Sequence, residues 1–326
     1  MTGRPQPRKE LTTLTSASLL ERARARWAEI SADQRDLVPA IALQRLLVAR
    51  TIRTVDQLYS SGQPVSGLEA NQITEKLRAG IPVLRGEPVV LPVAALGPLV
   101  LETCDDLGAG GAGDVARRVR HCLDEGRIDM GSLLTASFDR NQNAIRMKAV
   151  HEAVAPDVLW LAAELAVGPA AYVAQRALFA PAGARTHPAV VRALKAWPHG
   201  YCPACGSWPA FGEAPDRSRR LRCSFCGVGW RPRDPACTYC RGEPAHLTSL
   251  KVKPDSAHWA ELCSGCGAYL KWLDLPQPTP FELLPVEDLA STSLDVLAVE
   301  KGFGRPSLPE LGALERHPCQ MVNPSR

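Results

Sequence analysis

The residues of this 326-residue chain whose type and spacing most clearly point to chemistry are eight cysteines between positions 202 and 266. Two intervening residues allow both sulfurs of a C-x-x-C pair to reach one metal ion, and a tetrahedral structural site needs two such pairs. The spacing therefore predicts two four-cysteine metal sites. The four pairs are Cys202 with Cys205, Cys223 with Cys226, Cys237 with Cys240, and Cys263 with Cys266.

The order of the pairs along the chain indicates how they combine. Sequential pairing gives C-x2-C-x17-C-x2-C and C-x2-C-x22-C-x2-C, and each intervening loop is long enough for a hairpin. Only ten residues separate the second pair from the third. We therefore expect one metal ion on the first two pairs and another on the last two, with an interleaved pairing as the alternative.

The surroundings of the cysteines favour metal over unrelated thiols or two redox disulfides, because four pairs have ligand spacing. Gly206, Gly227 and Gly267 each follow the second cysteine of a pair. A residue without a Cβ lets the backbone turn tightly there and direct an N–H toward a thiolate. Zinc and iron both accept four thiolates in a tetrahedron, so the ligands alone leave the metal open.

The other reactive side chains show no catalytic pattern. Lone cysteines are usually small buried hydrophobic residues, and the two histidines of the second cysteine loop have no carboxylate or serine paired with them. We therefore assign no catalytic residues and no cofactor-binding residues beyond the metal ligands. A basic loop between the first two pairs is interpreted as a solvated hairpin. These residues are Cys104, Cys122 and Cys319; His246 and His258; and Arg217, Arg219, Arg220 and Arg222.

The elements before the cysteines read as helices, because apolar residues recur at spacings of three and four. Two capping boxes, Ser31 with Gln34 and Ser66 with Glu69, predict helix starts. The segment 156–179 is so apolar that we expect it to be buried on most sides. After Trp197 the composition changes to Cys, Gly, Pro, Arg and aromatic residues, which indicates a boundary.

These observations predict four regions. Residues 1–30 are expected to be a flexible N-terminal segment, 31–198 a helical domain, 199–275 a double four-cysteine metal-binding module, and 276–326 a linker, a helix and a C-terminal tail. The linker is 276–280, and the final helix is expected over 288–301. The predicted fold is thus a mainly α N-terminal domain followed by two small zinc-ribbon-like β modules and a C-terminal helix.

Composition and charge restrict the partners. The formal net charge is +4, which is too small for a large polyanion-binding surface. Residues 199–275 contain ten Lys or Arg and seven Asp or Glu. Eight thiolates with two divalent ions would bring this region to about −1, which weakens a nucleic-acid-binding hypothesis.

The first residues contain no apolar signal sequence, and the most apolar stretch, 81–101, is interrupted by charges and prolines. Eleven cysteines, eight of them in metal-like pairs, are typical of a reducing compartment. We therefore expect a cytoplasmic protein without a membrane span.

The sequence around the cysteines resembles the formate dehydrogenase accessory protein family. The resemblance is strong from 201 to 303 and diffuse in the helical half. It rests on the stretches Tyr201-Cys202-Pro203-Ala204-Cys205-Gly206-Ser207, Leu221-Arg222-Cys223, Trp230, Cys237-Thr238-Tyr239-Cys240, Cys263-Ser264-Gly265-Cys266-Gly267-Ala268-Tyr269-Leu270-Lys271, Glu287-Asp288-Leu289-Ala290-Ser291 and Glu300-Lys301-Gly302-Phe303.

This resemblance implies a cytoplasmic accessory factor, not an enzyme, for the assembly and maturation of formate dehydrogenase. Such a factor would bind the enzyme's catalytic subunit before export by the twin-arginine route. The resemblance also implies rubredoxin-like modules, with iron favoured and zinc as the alternative metal. Two positions depart from the family pattern: Gly229 stands where an acidic residue precedes the tryptophan, and Asp234 where an arginine follows it.

Two other functions remain in competition. An exposed iron centre with four thiolate ligands can exchange one electron, so a rubredoxin-like electron-transfer protein is the main alternative. Nucleic-acid binding by zinc ribbons is the third hypothesis, disfavoured by the charge of the module.

Overall fold

A computed structural model describes residues 14–61, 67–87, 89–179, 187–214, 218–232, 236–306 and 308. Helices occupy the first part of the chain, a mixed sheet follows, and two short helices come after it. The helices before the sheet are α1 Ser16–Asp33, α2 Val38–Ser61, α3 Ala70–Arg78, α4 Val93–Leu107, α5 Gly113–Asp124, α6 Met130–Phe138, α7 Gln142–His151, α8 Pro156–Phe179 and α9 Pro188–Lys195.

Helix α8 is the centre of the helical region, and it packs against α2, α4, α6 and α7. Its buried face is rich in small residues, including Ala163, Ala166, Ala170 and Ala171, which let neighbouring helices approach closely. Within the described part of the chain, α8 alone is long and apolar enough to cross a bilayer by length and composition. Since 61% of its most apolar window is buried inside the structure, α8 is placed as a core helix, as predicted.

Helix α1 corrects the prediction of a flexible segment over residues 1–30. The Thr15 side chain accepts a hydrogen bond from the Ser18 amide at 3.2 Å and caps the helix. Leu19 and Trp27 are buried, and they pack in one cluster with Leu283 of the C-terminal region. The helix is therefore held by contacts with distant parts of the sequence; residues 1–13 lie outside the described ranges.

The first of the two predicted capping boxes is wrong. Ser31 lies inside α1, which continues to Asp33, and α2 starts at Val38. Helix α3 has a reciprocal box three residues later than expected: the Gln72 side chain accepts from the Glu69 amide at 2.9 Å. Ser66 falls outside the described residues. At α3 the Glu69–Gln72 box is a second local cap, so the sequence pattern alone does not decide where that helix begins.

The described strands form one six-stranded sheet with the order β3-β2-β1-β6-β5-β4. All neighbours are antiparallel except β1 and β6, which run parallel. Gly212 of β1 faces Trp272 of β6 so closely that a Cβ would lie 2.3 Å from the indole ring. The strands are β1 Phe211–Glu213, β2 Arg220–Arg222, β3 Gly229–Trp230, β4 Leu247–Leu250, β5 Trp259–Cys263 and β6 Ala268–Leu273.

The β1–β6 pairing refines the predicted fold class. The first two cysteine pairs belong to the β1–β3 half and the last two to the β4–β6 half, so the two small modules share one sheet. A single hydrophobic core also joins both regions of the chain, since Leu159 and Ala166 of α8 cluster with Cys205 and Trp272. The boundary at Trp197 marks a change of composition, while the packing runs across it. The domain limits themselves stay predictions.

The C-terminal helix predicted over 288–301 is two helices, α10 Leu284–Ala290 and α11 Thr292–Glu300. They break at Ser291, whose hydroxyl donates to the Glu287 carbonyl at 2.9 Å and competes with helix continuation. Gly302 ends α11 at φ +83°, as its sequence position predicts.

Candidate metal centres

The first cluster brings together the sulfurs of Cys202, Cys205, Cys223 and Cys226. The Cys202 and Cys226 sulfurs are 3.5 Å apart, as are those of Cys205 and Cys223. A disulfide would need about 2.05 Å, whereas a tetrahedron with metal–sulfur bonds of about 2.3 Å separates its sulfurs by about 3.8 Å. The arrangement therefore fits a metal ion and not a pair of disulfides.

The second cluster contains Cys237, Cys240, Cys263 and Cys266. Its sulfur separations are 3.9 Å between Cys237 and Cys266 and 3.8 Å between Cys240 and Cys263. These distances match the tetrahedral value closely. The eight cysteines are thus grouped as sequential pairing predicts and not in the interleaved way. Two four-cysteine clusters that could hold metal ions are present.

All four C-x-x-C segments share one local backbone shape. The amide of the residue after each second cysteine donates to the carbonyl of the first cysteine at 2.9 Å. That residue has positive φ in every case: Gly206 +81°, Gly227 +73°, Arg241 +58° and Gly267 +69°. The turn explains the glycines noted in the sequence, because only glycine adopts this conformation without steric cost. Arg241 is the exception among the four.

Burial of the first cluster means that its thiols need a nearby cation to ionise. Complete burial raises the pKa of Cys202 and of Cys226 well above the ordinary thiol value. A buried thiolate is costly unless a positive charge is present, and thiolates are the form that binds metal. A divalent ion bound to the four sulfurs would supply that charge.

The first cluster lies deep between the sheet and the helices. The Val83 amide donates to the Pro203 carbonyl at 2.9 Å, and the Leu84 amide donates to the Ala204 carbonyl at 2.8 Å. Gly168 of α8 approaches the second pair so closely that a Cβ would lie 3.3 Å from the Phe225 carbonyl oxygen. The helical region therefore contacts the backbone of both cysteine pairs of this cluster.

Arg140 is a residue of this cluster's surroundings that the sequence analysis missed. It is only 7% exposed, and its guanidinium lies 4.0 Å from the ring centre of Phe225, between Cys223 and Cys226. Glu164 pairs with it at 2.9 Å. No sequence signal marks this arginine, because it is distant from the cysteines along the chain.

The second cluster is shallower. Its cysteines are 1–6% exposed, compared with 0–1% in the first cluster, and the neighbouring Arg241 and Ser264 are exposed. On its inner side the Tyr239 hydroxyl donates to the Tyr269 carbonyl at 3.2 Å. Solvent therefore approaches the second cluster more closely than the first.

Lys271 forms a second buried polar group in the stretch that carries the family resemblance. Its side chain is fully buried, and its ammonium lies 2.8 Å from Asp288 and 2.7 Å from Asp295. Arg305 contacts the same two carboxylates at 2.8 and 2.9 Å. The Tyr269 hydroxyl donates to Asp295 at 2.7 Å. This Lys271 network fastens β6 to α10 and α11, next to the second cluster.

The remaining residues singled out in the sequence have structural positions. Cys104 and Cys122 are buried, as expected of lone cysteines. The Nδ1 atom of His258 accepts a hydrogen bond from the Asp274 amide at 3.1 Å, and His246 is exposed. Cys319, Asp234 and Arg217 lie outside the described ranges.

The basic loop is not wholly solvated. Arg222 is buried, and it pairs with Glu213 at 2.8 Å. Arg219 pairs with Glu261 at 2.8 Å and stacks on Trp272 at 3.8 Å. At the departure from the family pattern, Gly229 packs against Arg220, since a Cβ there would lie 2.7 Å from its Cδ. Arg219 and Arg222 are thus engaged within the sheet.

Comparisons with known proteins agree with these features. Residues 236–311 match the family model described as FdhE, C-terminal domain. The chain is 34% identical over 113 residues to Protein FdhE of Salmonella paratyphi A, covering 33% of this chain and 36% of that protein. It is 34% identical over 126 residues to the Protein FdhE homolog of Pectobacterium carotovorum, covering 37% and 40%. The matched segments thus span a third to two fifths of these two relatives.

The fold likeness extends much further than the sequence matches. The crystal structure of the FdhE protein from Pseudomonas aeruginosa aligns with 92% of this chain and 97% of its own, with a TM-score of 0.56 and 23% identity. At that identity the alignment speaks for the fold alone. Together with the matched family model, the curated relatives and the resemblance seen in the sequence, these findings lead to one conclusion: residues 236–311 match the C-terminal domain of the FdhE family, and the chain has the FdhE fold.

Proposed function

We propose that this chain is a non-enzymatic, cytoplasmic accessory factor in the formation of formate dehydrogenase. The observation that carries the proposal is the position of the FdhE match: residues 236–311 include the whole second cluster and the Lys271 network. The shared sequence thus contains a buried ion-pair network beside a shallow cysteine cluster. A platform of this kind suits binding of another protein.

The finer part of the proposal is that the chain binds the catalytic subunit of formate dehydrogenase before export. The family resemblance supports this partner. Purified chain mixed with separately produced, cofactor-free catalytic subunit should form a complex that survives size-exclusion chromatography. Mature formate dehydrogenase is the matched control and should bind less tightly. Equal binding to both forms, or to neither, would contradict a role before maturation.

A genetic experiment tests the accessory role independently of binding. Deleting the gene should abolish formate oxidation, and the abundance of the catalytic subunit, measured separately, distinguishes a missing enzyme from an inactive one. Restoring the wild-type gene is the control. Unchanged formate oxidation after deletion would refute the proposal.

We also propose that the eight clustered cysteines are ligands of two metal ions. Sulfur separations of 3.5–3.9 Å within both clusters support this assignment. Iron is favoured by the family resemblance, with zinc as the alternative. Elemental analysis should find two metal ions per chain, and iron would add visible thiolate-to-metal absorption. A preparation that folds with less than one ion per chain would refute it.

Electron transfer through iron is the second candidate, because the shallow second cluster lies where an electron could enter or leave. Zinc in both sites of the protein purified from its own host would remove this candidate. Nucleic-acid binding receives less support, since Arg219 and Arg222 are committed to Glu261 and Glu213.

A further inference from the structure

Helix α6 ends with an arginine at a position where helices usually have glycine. The Arg140 amide donates to the Ser137 carbonyl at 3.0 Å, and the Asn141 amide donates to the Ala136 carbonyl at 2.8 Å. These two bonds are the Schellman ending, in which the residue after the cap adopts positive φ and is usually glycine. Arg140 holds that position at φ +56°. An arginine therefore occupies a conformation that is sterically unfavourable for it.

Other helices of the chain show the usual choice. Gly80, Gly126 and Gly302 have the same pair of hydrogen bonds after α3, α5 and α11, with φ of +73°, +69° and +83°. Helix α7 offers the second exception, Ala153, at φ +53°. The two exceptions differ in their side chains: Ala153 carries only a methyl group, whereas the strained Arg140 carries a guanidinium that reaches other parts of the molecule.

The Arg140 guanidinium extends from this position onto the first cluster. It lies between the rings of Phe225 and Trp160, 4.0 and 4.7 Å from their centres. One nitrogen, Nη2, binds Glu164 at 2.9 Å. Nε and Nη1 are buried, and they have no hydrogen-bond partner among the described residues. A buried cation with two unpaired donors requires compensation from its surroundings.

The thiolates of the first cluster can provide that compensation. A divalent ion bound to four thiolates would carry a net charge of −2 with its ligands, and the four cysteines of this cluster are buried. Arg85 is a second cation on this side, and its guanidinium donates to the carbonyl of Asp139. Residues 83 and 84 bind the first cysteine pair directly.

We propose that Arg140 is a positioning residue of the first metal site, whose charge stabilises the metal–thiolate centre from the helical side. Metal loading of the first cluster is then coupled to the packing of α6 and α8 on the cysteine pairs. The inference rests on the proposed metal binding. It goes beyond the ligand set, because it assigns part of the site's affinity to a residue outside the sheet.

The decisive variant is Arg140→Gly, since it removes the guanidinium and relieves the backbone at the same time. If Arg140 only ended α6, glycine would serve equally well. Ala153→Gly is the matched control, because Ala153 has the same helix ending and the same positive φ but carries no charged side chain. Arg140→Lys keeps the charge in the same backbone conformation.

The assay is competition for zinc between the full-length protein and a chromophoric chelator, followed by alkylation of released thiols and peptide mapping. We expect Arg140→Gly to weaken zinc binding at the first cluster about 10- to 100-fold, the range found when partners of metal ligands are removed. Cys202, Cys205, Cys223 and Cys226 should then become alkylated at lower chelator concentration. The second cluster should keep its wild-type affinity, and Ala153→Gly should change neither site.

Three results would overturn the inference. Wild-type zinc affinity at both clusters in Arg140→Gly would show that the guanidinium has no effect on the site. Equal losses in Arg140→Lys and Arg140→Gly would assign the effect to shape and not to charge. Failure of the wild-type protein to bind two zinc ions would instead refute the proposed metal binding itself, together with this inference.

Discussion

Replacing Lys271 by methionine should destabilise the protein more than any exposed lysine substitution. The ammonium is fully buried and contacts Asp288 and Asp295 at 2.8 and 2.7 Å. Methionine fills a similar volume without charge. The variant therefore leaves two carboxylates facing an apolar group.

The expected loss follows from the exposure of the two carboxylates. Removing one partner of a fully buried ion pair costs about 3–5 kcal/mol. Here the Asp288 and Asp295 side chains are 34% and 24% exposed, and Arg305 still contacts both. Solvent and Arg305 offset part of the cost. We expect a decrease of about 2–3 kcal/mol in the free energy of unfolding.

Urea unfolding followed by tryptophan fluorescence measures this loss. Lys251→Met is the control, because Lys251 is exposed and surface substitutions usually change stability by less than about 0.5 kcal/mol. Adding Asp295→Asn to Lys271→Met should recover part of the loss, as a double-mutant cycle requires for interacting groups. If Lys271→Met lost no more stability than Lys251→Met, the Lys271 network would not contribute as argued.

Three further predictions concern the same region and the clusters. Burial alone would raise the pKa of Asp288, but Arg305 and Lys271 lower it overall. The stabilising contribution of Asp288 is therefore complete above the unfolded pKa of about 3.9, and it is lost as pH falls through the lower folded pKa. Acid unfolding of Asp288→Asn should lack this component. Arg241→Gly should stabilise the third cysteine turn by about 0.5–1 kcal/mol, because glycine adopts the φ of +58° without the steric strain that arginine has there. Slower thermal release of metal from the second cluster would show this, and faster release would contradict it. Cys202→Ser should lower the stability of the whole chain, because the first cluster lies in the main core, whereas Cys263→Ser should open the second cluster locally. Limited proteolysis with mass mapping distinguishes global from local opening. Identical cleavage patterns in the two variants would refute the difference.

Local sequence was sufficient to predict the cysteine turns and their grouping. A C-x-x-C pair followed by glycine has one compact backbone shape, and the short spacing between the second and third pairs separates the clusters. The same locality explains the end of α11 at Gly302. Where a second local cap was available, as with the Glu69–Gln72 box of α3, the pattern alone could not choose, and at Ser31 the predicted cap lies inside α1.

The amino-acid sequence by itself therefore determined the eight paired cysteines, the buried nature of α8 and the family resemblance, and it favoured the sequential pairing that the structure then showed. Only the tertiary structure decided that both modules share one sheet, that α1 is a docked helix, and that one cluster is deep and the other shallow. It also brought Arg140 to Phe225. Turns and helix faces depend on neighbouring residues, whereas burial and charge compensation depend on contacts between residues far apart in the chain, which no local pattern encodes.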